Sequence, residues 1–152
     1  MKAVIQRVKK GSVKIEKENY FKEIGKGLVV LVGIHKKNKK KELDTIVKKI
    51  SNMRIFEDEN RKMNLSIKDI NGELLLISQF TLIADTKKGN RPGFSESKKF
   101  EEASIIYEEL ANLFQIELGE NYVQTGIFGA DMMVDILNEG PVTIILDTKE
   151  YE

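Results

Sequence analysis

The chain has 152 residues, with 25 Lys plus Arg, 24 Asp plus Glu, one His and no Cys. Its length suits one domain, and the missing cysteines exclude a disulfide framework, a Cys-ligated zinc or iron–sulfur centre and a thiol nucleophile. The net charge of +1 hides an asymmetry: residues 1–76 carry 19 basic and 10 acidic groups, whereas residues 77–152 carry 6 and 14. A basic face for a polyanion and a merely Lys-rich, solvated surface both fit this pattern.

Strands are predicted from two apolar patterns. Alternation over residues 2–8, a pause at Gly11 and renewed alternation at Val13 and Ile15 predict a hairpin. Continuous apolar runs, of which residues 28–34 form the clearest, predict buried strands. The predicted strands after the hairpin cover residues 28–34, 54–56, 73–80, 133–137 and 142–146.

Two helices are predicted from apolar residues at helical spacing. The first covers residues 39–52. The second begins after a cap at Ser95 or Ser97, runs through Leu118 and ends at Gly119, a residue that tolerates the left-handed conformation. Because strands dominate, the predicted fold class is mixed α/β: a β-barrel-like sheet with two main helices packed on it.

No targeting or membrane segment is recognisable in the sequence. The longest apolar run, residues 28–32, is far shorter than the roughly 20 residues that a membrane span needs. Residues 1–7 lack the apolar stretch and cleavage site of a signal peptide. We therefore expect a single cytoplasmic domain over residues 1–152, with no membrane partner, whose last residues, 148–152, fray.

The segment Ser78-Gln79-Phe80-Thr81-Leu82 is the first candidate for chemistry. It ends an apolar strand, where backbone groups lose their ladder partners. Small hydroxyls and free N–H groups at such a point can form an oxyanion site. Thr81 is a conceivable nucleophile, but no Lys or His base accompanies it in the segment. Periodicity alone favours a plain strand end.

The segment Asn138-Glu139-Gly140-Pro141-Val142-Thr143 is the second candidate. A Gly-Pro pair between two strands is typical of a hairpin turn, although proline also permits a cis peptide bond. Other candidates are weaker. His35, the single His, lacks an orienting carboxylate nearby in sequence, although a distant one remains possible, and the acidic residues near the C-terminus lack metal-loop spacing, so we predict no metal site.

Taken together, these two segments resemble the signature motifs of the D-aminoacyl-tRNA deacylases, the D-tyrosyl-tRNA deacylase family. The resemblance extends in order over almost the whole chain. One departure is Gly93, where many members have Ser. The further segments that carry the resemblance are residues 1–8, 53–56, 62–64 and 126–132.

The resemblance implies a homodimer that hydrolyses the ester joining a D-amino acid to the 3′-terminal ribose of tRNA. Glycyl-tRNA mischarged on an alanine tRNA is a further implied substrate. It implies no metal and no organic cofactor, and its partners are aminoacyl-tRNA and a second copy of the chain, not DNA. The family's fold is a β-barrel-like α/β domain, in agreement with the periodicity.

The resemblance also assigns roles to particular residues. Ser78, Gln79 and Phe80 line the site, and their N–H groups hold the oxyanion; Thr81 is a rival, covalent nucleophile. Gly140 and Pro141 form a cis pair that enters the partner's site and excludes L side chains. Three supporting residues complete the set: Arg7, which orients the Gly-Pro carbonyls, and the wall residues Phe128 and Met132.

The resemblance gives the basic half of the chain an expected role in binding tRNA, and two alternative functions of the protein remain open. A group of Lys and Arg side chains is expected to hold the acceptor stem through its phosphates. One rival is a non-catalytic RNA-binding dimer that uses the same basic face. The other is a structural dimer in which Gly140-Pro141 is only an interface turn, a reading that a trans bond at Pro141 would favour. The basic group consists of Lys36, Lys37, Lys39, Lys40, Lys41, Lys87, Lys88 and Arg91.

Overall fold

The computed structural model describes residues 1–151 and consists of one six-stranded sheet, a small two-stranded sheet and two long helices. Five strands follow the order β2-β1-β3-β6-β7, and the sixth strand, β8, lies off this path and also pairs with β1. The elements are β1 Lys2–Ile15, β2 Tyr20–Ile24, β3 Gly27–Gly33, α1 Lys41–Asn52, β4 Phe56–Glu57, β5 Met63–Leu65, β6 Glu73–Ser78, α2 Phe100–Leu118, β7 Val123–Thr125 and β8 Met133–Asp147.

The central strands β3 and β6 are parallel and buried on both faces, as their continuous apolar sequences predict. Leu74 and Leu76 face the cluster that contains the helices, whereas Leu75 and Ile77 face a second cluster on the other side of the sheet. The sheet is nearly closed and barrel-like, with both helices packed on it, so the predicted fold class is confirmed. No helix within residues 1–151 has the length and apolar character of a membrane span.

The first strand runs straight through Gly11, so the predicted hairpin is wrong. A Cβ atom at Gly11 would lie 2.7 Å from Cγ2 of Val29, which shows that glycine is needed here for close packing and not for a turn. The chain turns later, where Asn19 adopts a positive φ of 47° before β2. Strand β1 can therefore pair with β3 near its start and with β2 near its end.

Gly11→Ala is expected to lower the free energy of unfolding by about 1–3 kcal/mol, because an added methyl group overpacks the core at Val29. Urea denaturation measures the change. The matched control is Gly93→Ala, where the added Cβ meets only Asp85 O at 3.8 Å and the expected change is within about 0.5 kcal/mol. Equal stability of the two variants would contradict the close-packing role of Gly11.

The helices and the chain end differ slightly from the predictions. Helix α1 begins at Lys41 and α2 at Phe100, later than expected, and neither Ser95 nor Ser97 caps α2. Gly119 does end α2, with a φ of 101°. We expected fraying from residue 148, but Thr148 is buried and its hydroxyl accepts a hydrogen bond from the Met1 α-amino group, 2.5 Å away.

Candidate active site

A cavity of about 510 Å³ lies where β3 and β6 end, between the start of α2 and the chain after β7. Its wall is mainly apolar, with a few polar groups, which is the usual composition of a small-molecule site. Five of the predicted site residues line it. The main lining residues are Ile34, Ile77, Ser78, Gln79, Phe80, Ser97, Lys98, Phe100, Phe128, Gly129 and Met132.

The backbone hydrogen bonds show which N–H groups beside this cavity already have an acceptor in the chain and which remain available to a ligand. Gln79 N donates to Val32 O at 2.7 Å, so the Gln79 N–H group is already bonded to β3 and is unavailable to an oxyanion. Successive residues of a strand direct their N–H groups to opposite edges, so the N–H of Ser78 points towards β7. The ladder on that edge has already ended with the bond from Gly126 N to Leu76 O. The role expected for the Gln79 N–H therefore needs correction.

A 3₁₀ turn over Phe80–Ile83 follows the strand. Its first backbone hydrogen bond runs from Leu82 N to Gln79 O at 3.2 Å. The N–H groups of Phe80 and Thr81 precede this bond in the chain, and neither has an acceptor among residues 1–151. The Thr81 hydroxyl accepts a hydrogen bond from Gln79 Nε2 at 2.6 Å and does not line the cavity. A covalent role for Thr81 gains no support from this arrangement.

Aromatic rings build two sides of the cavity. The Phe80 side chain is 57% exposed and packs edge-on against Phe94, with ring centroids 5.0 Å apart. On the opposite side Phe128 contacts the rings of Phe100 and Tyr107 at 5.1 and 5.6 Å. Phe128 is thus held in the cavity lining by two ring contacts.

The sequence analysis did not single out Tyr107, which packs against Phe128 behind this wall. Tyr107 lies on the buried side of α2, and its hydroxyl donates to Leu76 O at 2.7 Å and lies 3.4 Å from Gly126 O. Burial raises the pKa of Tyr107 well above its usual value, so the group stays a neutral donor. A hydroxylated aromatic residue in a buried stripe was the available signal, because a buried Tyr usually hydrogen-bonds.

Met132 is another residue that lines the cavity. Its sulfur would be only 2.5 Å from a Cβ atom added at Gly126, so Gly126 allows the side chain of Met132 to pack against the chain after β7.

Gly140 and Pro141 lie within β8 and not in a hairpin turn. Residues Gln6 and Val8 of β1 pair with Thr143 and Asn138, so residues 139–142 bulge opposite the single residue Arg7. The Gly140-Pro141 peptide bond is cis, and both residues are exposed. Neither lines the cavity of their own chain.

Arg7 is buried directly beneath this bulge. Its Nη1 donates to Ile55 O at 2.8 Å, and its Nε donates to Glu139 O at 3.4 Å and lies 3.7 Å from the Glu139 carboxylate. A Cβ atom added at Gly140 would lie 3.1 Å from Nη2. The guanidinium therefore contacts the bulge through the carbonyl of Glu139, one residue before the Gly-Pro pair, and not through the Gly-Pro carbonyls that the resemblance implies.

His35 does have a carboxylate partner that is distant in sequence. Its Nε2 lies 3.2 Å from Glu96, while its Nδ1 accepts a hydrogen bond from the Lys37 N–H at 3.1 Å. Burial, helped by Lys149 and opposed by Glu96, lowers the pKa of His35. The side chain does not line the cavity.

Nowhere in residues 1–151 do three His, Asp or Glu side chains gather so that they could hold a metal ion.

A family model described as D-Tyr-tRNA(Tyr) deacylase matches residues 4–147. The chain belongs to this deacylase family. It is 52% identical to a D-aminoacyl-tRNA deacylase of Flavobacterium psychrophilum over 152 residues, the full length of both chains. The family resemblance inferred from the two signature motifs is thus confirmed.

Two solved structures resemble this deacylase-family chain. One, described as c-Myc DNA Unwinding Element Binding Protein, has a TM-score of 0.91 and 40% identity, and the match covers 97% of this chain and 98% of the other. The second, described as a probable eukaryotic D-amino acid tRNA deacylase, has a TM-score of 0.83 at 16% identity, over 95% and 97% of the two chains. The second likeness concerns the fold alone.

Proposed function

We propose that this chain hydrolyses the ester between a D-amino acid and the 3′-terminal ribose of tRNA, releasing both, as chiral proofreading in the cytoplasm. Family membership supports the reaction class. The observation that carries the proposal is the cavity at the end of β6, where backbone N–H groups without acceptors meet an apolar, aromatic wall. Such a wall suits an aminoacyl ester, and the donors suit its carbonyl.

The N–H groups of Ser78 and Phe80 are the proposed oxyanion donors. They flank Gln79, whose own N–H is held by β3, so the segment presents two donors from a fixed backbone. Donors fixed in advance stabilise the negative charge that develops on the carbonyl oxygen without reorganisation during the reaction. The ester needs no strong nucleophile from the protein if the neighbouring tRNA 2′-hydroxyl assists attack.

Chiral selection is proposed to need a homodimer. Gly140 and Pro141 do not reach their own cavity, and Leu137 and Ile145, on either side of the bulge, are exposed apolar residues on β8. A two-fold interface over this strand would let each subunit insert its Gly-Pro bulge into the other's site. The bulge would obstruct an L side chain and leave space for hydrogen or a D side chain. Glycyl-tRNA mischarged on an alanine tRNA would therefore also be accepted.

Thr81→Ala is expected to leave turnover of D-tyrosyl-tRNA near normal, because the Thr81 hydroxyl is bonded to Gln79 and lies outside the cavity lining. Removing the 2′-hydroxyl of the terminal ribose should instead slow hydrolysis by at least about 100-fold, the lower end of general acid–base contributions. Single-turnover rates with the two substrates measure both effects. Loss of activity in Thr81→Ala with normal cleavage of the 2′-deoxy substrate would favour the covalent route.

The basic residues are proposed to bind the acceptor stem, with two reassignments. Lys36 pairs with Glu96 at 2.6 Å and Lys40 with Glu109 at 2.6 Å, so both charges are partly neutralised. The remaining groups are exposed on the loop before α1, at the first residue of α1 and on the loop before α2. They are Lys37, Lys39, Lys41, Lys87, Lys88 and Arg91.

Binding of tRNA through these groups should weaken steeply with salt. Since one similar structure is described as a DNA-element binding protein, duplex DNA of equal length is the appropriate competitor. We propose tRNA as the physiological ligand, so tRNA should bind more tightly at every salt concentration.

The deciding experiment compares hydrolysis of D-tyrosyl-tRNA and L-tyrosyl-tRNA by purified, metal-free protein. Rapid loss of the D ester, with the L ester spared, is expected. Persistence of both esters, with tRNA still bound, would overturn the enzymatic proposal in favour of the RNA-binding dimer. Equal loss of both esters would leave a deacylase but remove the chiral role of the Gly-Pro bulge.

A further inference from the structure

One charged side chain, that of Lys98, lies among the cavity-lining residues that the structure describes. Its side chain is only 10% exposed. A lysine side chain buried to this extent needs polar partners for its ammonium group. As the one charged side chain in the lining, it is a candidate contact for a charged part of a ligand.

The partners that the chain supplies leave Lys98 with spare donor capacity. Nζ donates to Lys36 O at 3.0 Å, and the Glu102 carboxylate lies 3.5 Å away. Glu102 is 62% exposed, so this second contact is a weak surface pair. Because an ammonium has three N–H donors, at least one remains for a ligand.

The backbone holds Lys98 in place beside the proposed ester site. Lys98 N donates to Ile34 O at 3.0 Å, and Lys36 N donates to Glu96 O at 2.9 Å, which fixes the segment against the end of β3. The next residue back, Ser97, places its hydroxyl 3.5 Å from Phe80 O. Lys98 therefore directly follows a residue, Ser97, that contacts Phe80, one of the proposed oxyanion donors.

Two aromatic rings also line the same cavity. Phe100 and Phe128 line it together, in an edge-to-face pair with centroids 5.1 Å apart, and Phe100 is exposed. Aromatic side chains next to a cation are the usual surroundings of a nucleotide, because the rings stack on a base and the cation pairs with its phosphate.

We propose that Lys98 binds the phosphodiester that adjoins the terminal nucleoside of the tRNA, the nucleoside that carries the ester. This inference rests on the proposed deacylase function and deepens it. On binding, the ammonium exchanges its loose contact with Glu102 for the phosphate and keeps its bond to Lys36 O. Glu102 is then a competitor of the phosphate, since its carboxylate stands beside the same cation.

The test uses two substrates that differ in the phosphate. One is D-tyrosyl-tRNA, and the other is D-tyrosyl-adenosine, which carries the same ester and no phosphate. Lys98→Met keeps most of the apolar stem and removes the charge. It is expected to raise KM for D-tyrosyl-tRNA about tenfold, the effect of losing one charge-assisted hydrogen bond, with kcat nearly unchanged. Its kinetics on D-tyrosyl-adenosine should match the wild type.

Three further variants sharpen the result. Lys98→Arg should restore most of the affinity for D-tyrosyl-tRNA, because the charge returns. Glu102→Gln should lower KM for that substrate, because the competing carboxylate is gone. Lys99→Met removes a neighbouring exposed charge outside the cavity and should change KM little.

Hydrolysis of D-tyrosyl-adenosine also reports whether each variant is folded. An equal loss on both substrates in Lys98→Met would overturn the inference in favour of a structural role, and no loss on either would overturn it as well. If the wild type leaves both esters intact, the proposed function itself fails and this inference falls with it. If the wild type cleaves both esters, the proposed function stands. The kinetics of Lys98→Met then test only the role of Lys98.

Discussion

Arg7→Lys is expected to lower kcat/KM for D-tyrosyl-tRNA about 100-fold. A displacement of about 1 Å in a group that positions the substrate can reduce the rate by this factor. The reason is geometric. The guanidinium reaches Ile55 O with one nitrogen and Glu139 O with another, and Gly140 packs against its third. Lysine keeps the charge but presents a single nitrogen, so it cannot hold both carbonyls at once. The Gly-Pro bulge would then lose its fixed direction.

The same variant should lose selectivity as well as rate. If the bulge excludes the L side chain, a displaced bulge admits it, so the ratio of D to L hydrolysis should fall. Single-turnover assays with both tyrosyl-tRNAs measure this ratio. The control is Arg54→Lys, since the Arg54 side chain makes one exposed contact, from Nη1 to Asn64 Oδ1 at 3.3 Å, and none with residues 139–142. An unchanged ratio in a folded Arg7→Lys protein would contradict the positioning role.

The parts of the fold that sequence periodicity predicted are those whose environment is uniform along an element. Strands β3 and β6 are buried on both faces, so their sequences are continuously apolar. Helix α1 buries one stripe, which includes Leu43, Ile46 and Ile50, and shows the helical period. In each case the local pattern carries the information.

The errors fall where a partner distant in sequence decides the structure. Gly11 interrupts the alternation like a turn residue, yet Val29 across the sheet is the reason for it. Gly140-Pro141 is typical of a hairpin, yet β1 continues along both halves of β8 and leaves only a bulge over Arg7. Gly-Pro marks an irregularity, and the pairing of β1 decides which kind.

The candidate site divides in the same way. The two signature segments were found because their residue types are specific in combination. The resemblance implies that Arg7 orients the Gly-Pro carbonyls, whereas its Nε donates to Glu139 O, because a residue's target atom depends on the register of two strands. Tertiary packing alone brings Lys98 into the cavity wall and Tyr107 against Phe128 behind it. From the sequence, neither could be distinguished from a solvated lysine or an ordinary helix residue.

Glu42 lies in a buried polar cluster that joins the two ends of the chain to α1. Its carboxylate accepts hydrogen bonds from Lys39 N at 2.8 Å, from Asn38 Nδ2 and from the Thr148 hydroxyl. The Met1 α-amino group lies 3.4 Å away and is buried with it. The α-amino group is the member of this cluster that depends on the carboxylate charge.

Glu42→Gln is expected to lower the free energy of unfolding by about 3 kcal/mol, because it leaves the buried α-amino group without its countercharge. Urea denaturation at pH 7 measures this, on protein prepared without an N-terminal tag so that the α-amino group is present. The control is Glu59→Gln at an exposed turn, with an expected change within about 0.5 kcal/mol. Equal effects of the two substitutions would contradict the importance of the buried cluster.

The pH dependence identifies the charge as the cause. Burial acts to raise the pKa of Glu42, but hydrogen bonds from Thr148 and Lys39 and the nearby α-amino group outweigh it, so the pKa is lowered. The unfolded chain then binds more protons than the folded chain in acid, so the stability that Glu42 contributes is present above its ordinary pKa of about 4.3. That stability is lost as the pH falls through the lower, folded-state value. The difference between wild type and Glu42→Gln should therefore shrink in this range, whereas a constant difference from neutral to acid pH would mean that shape, and not charge, sets the effect.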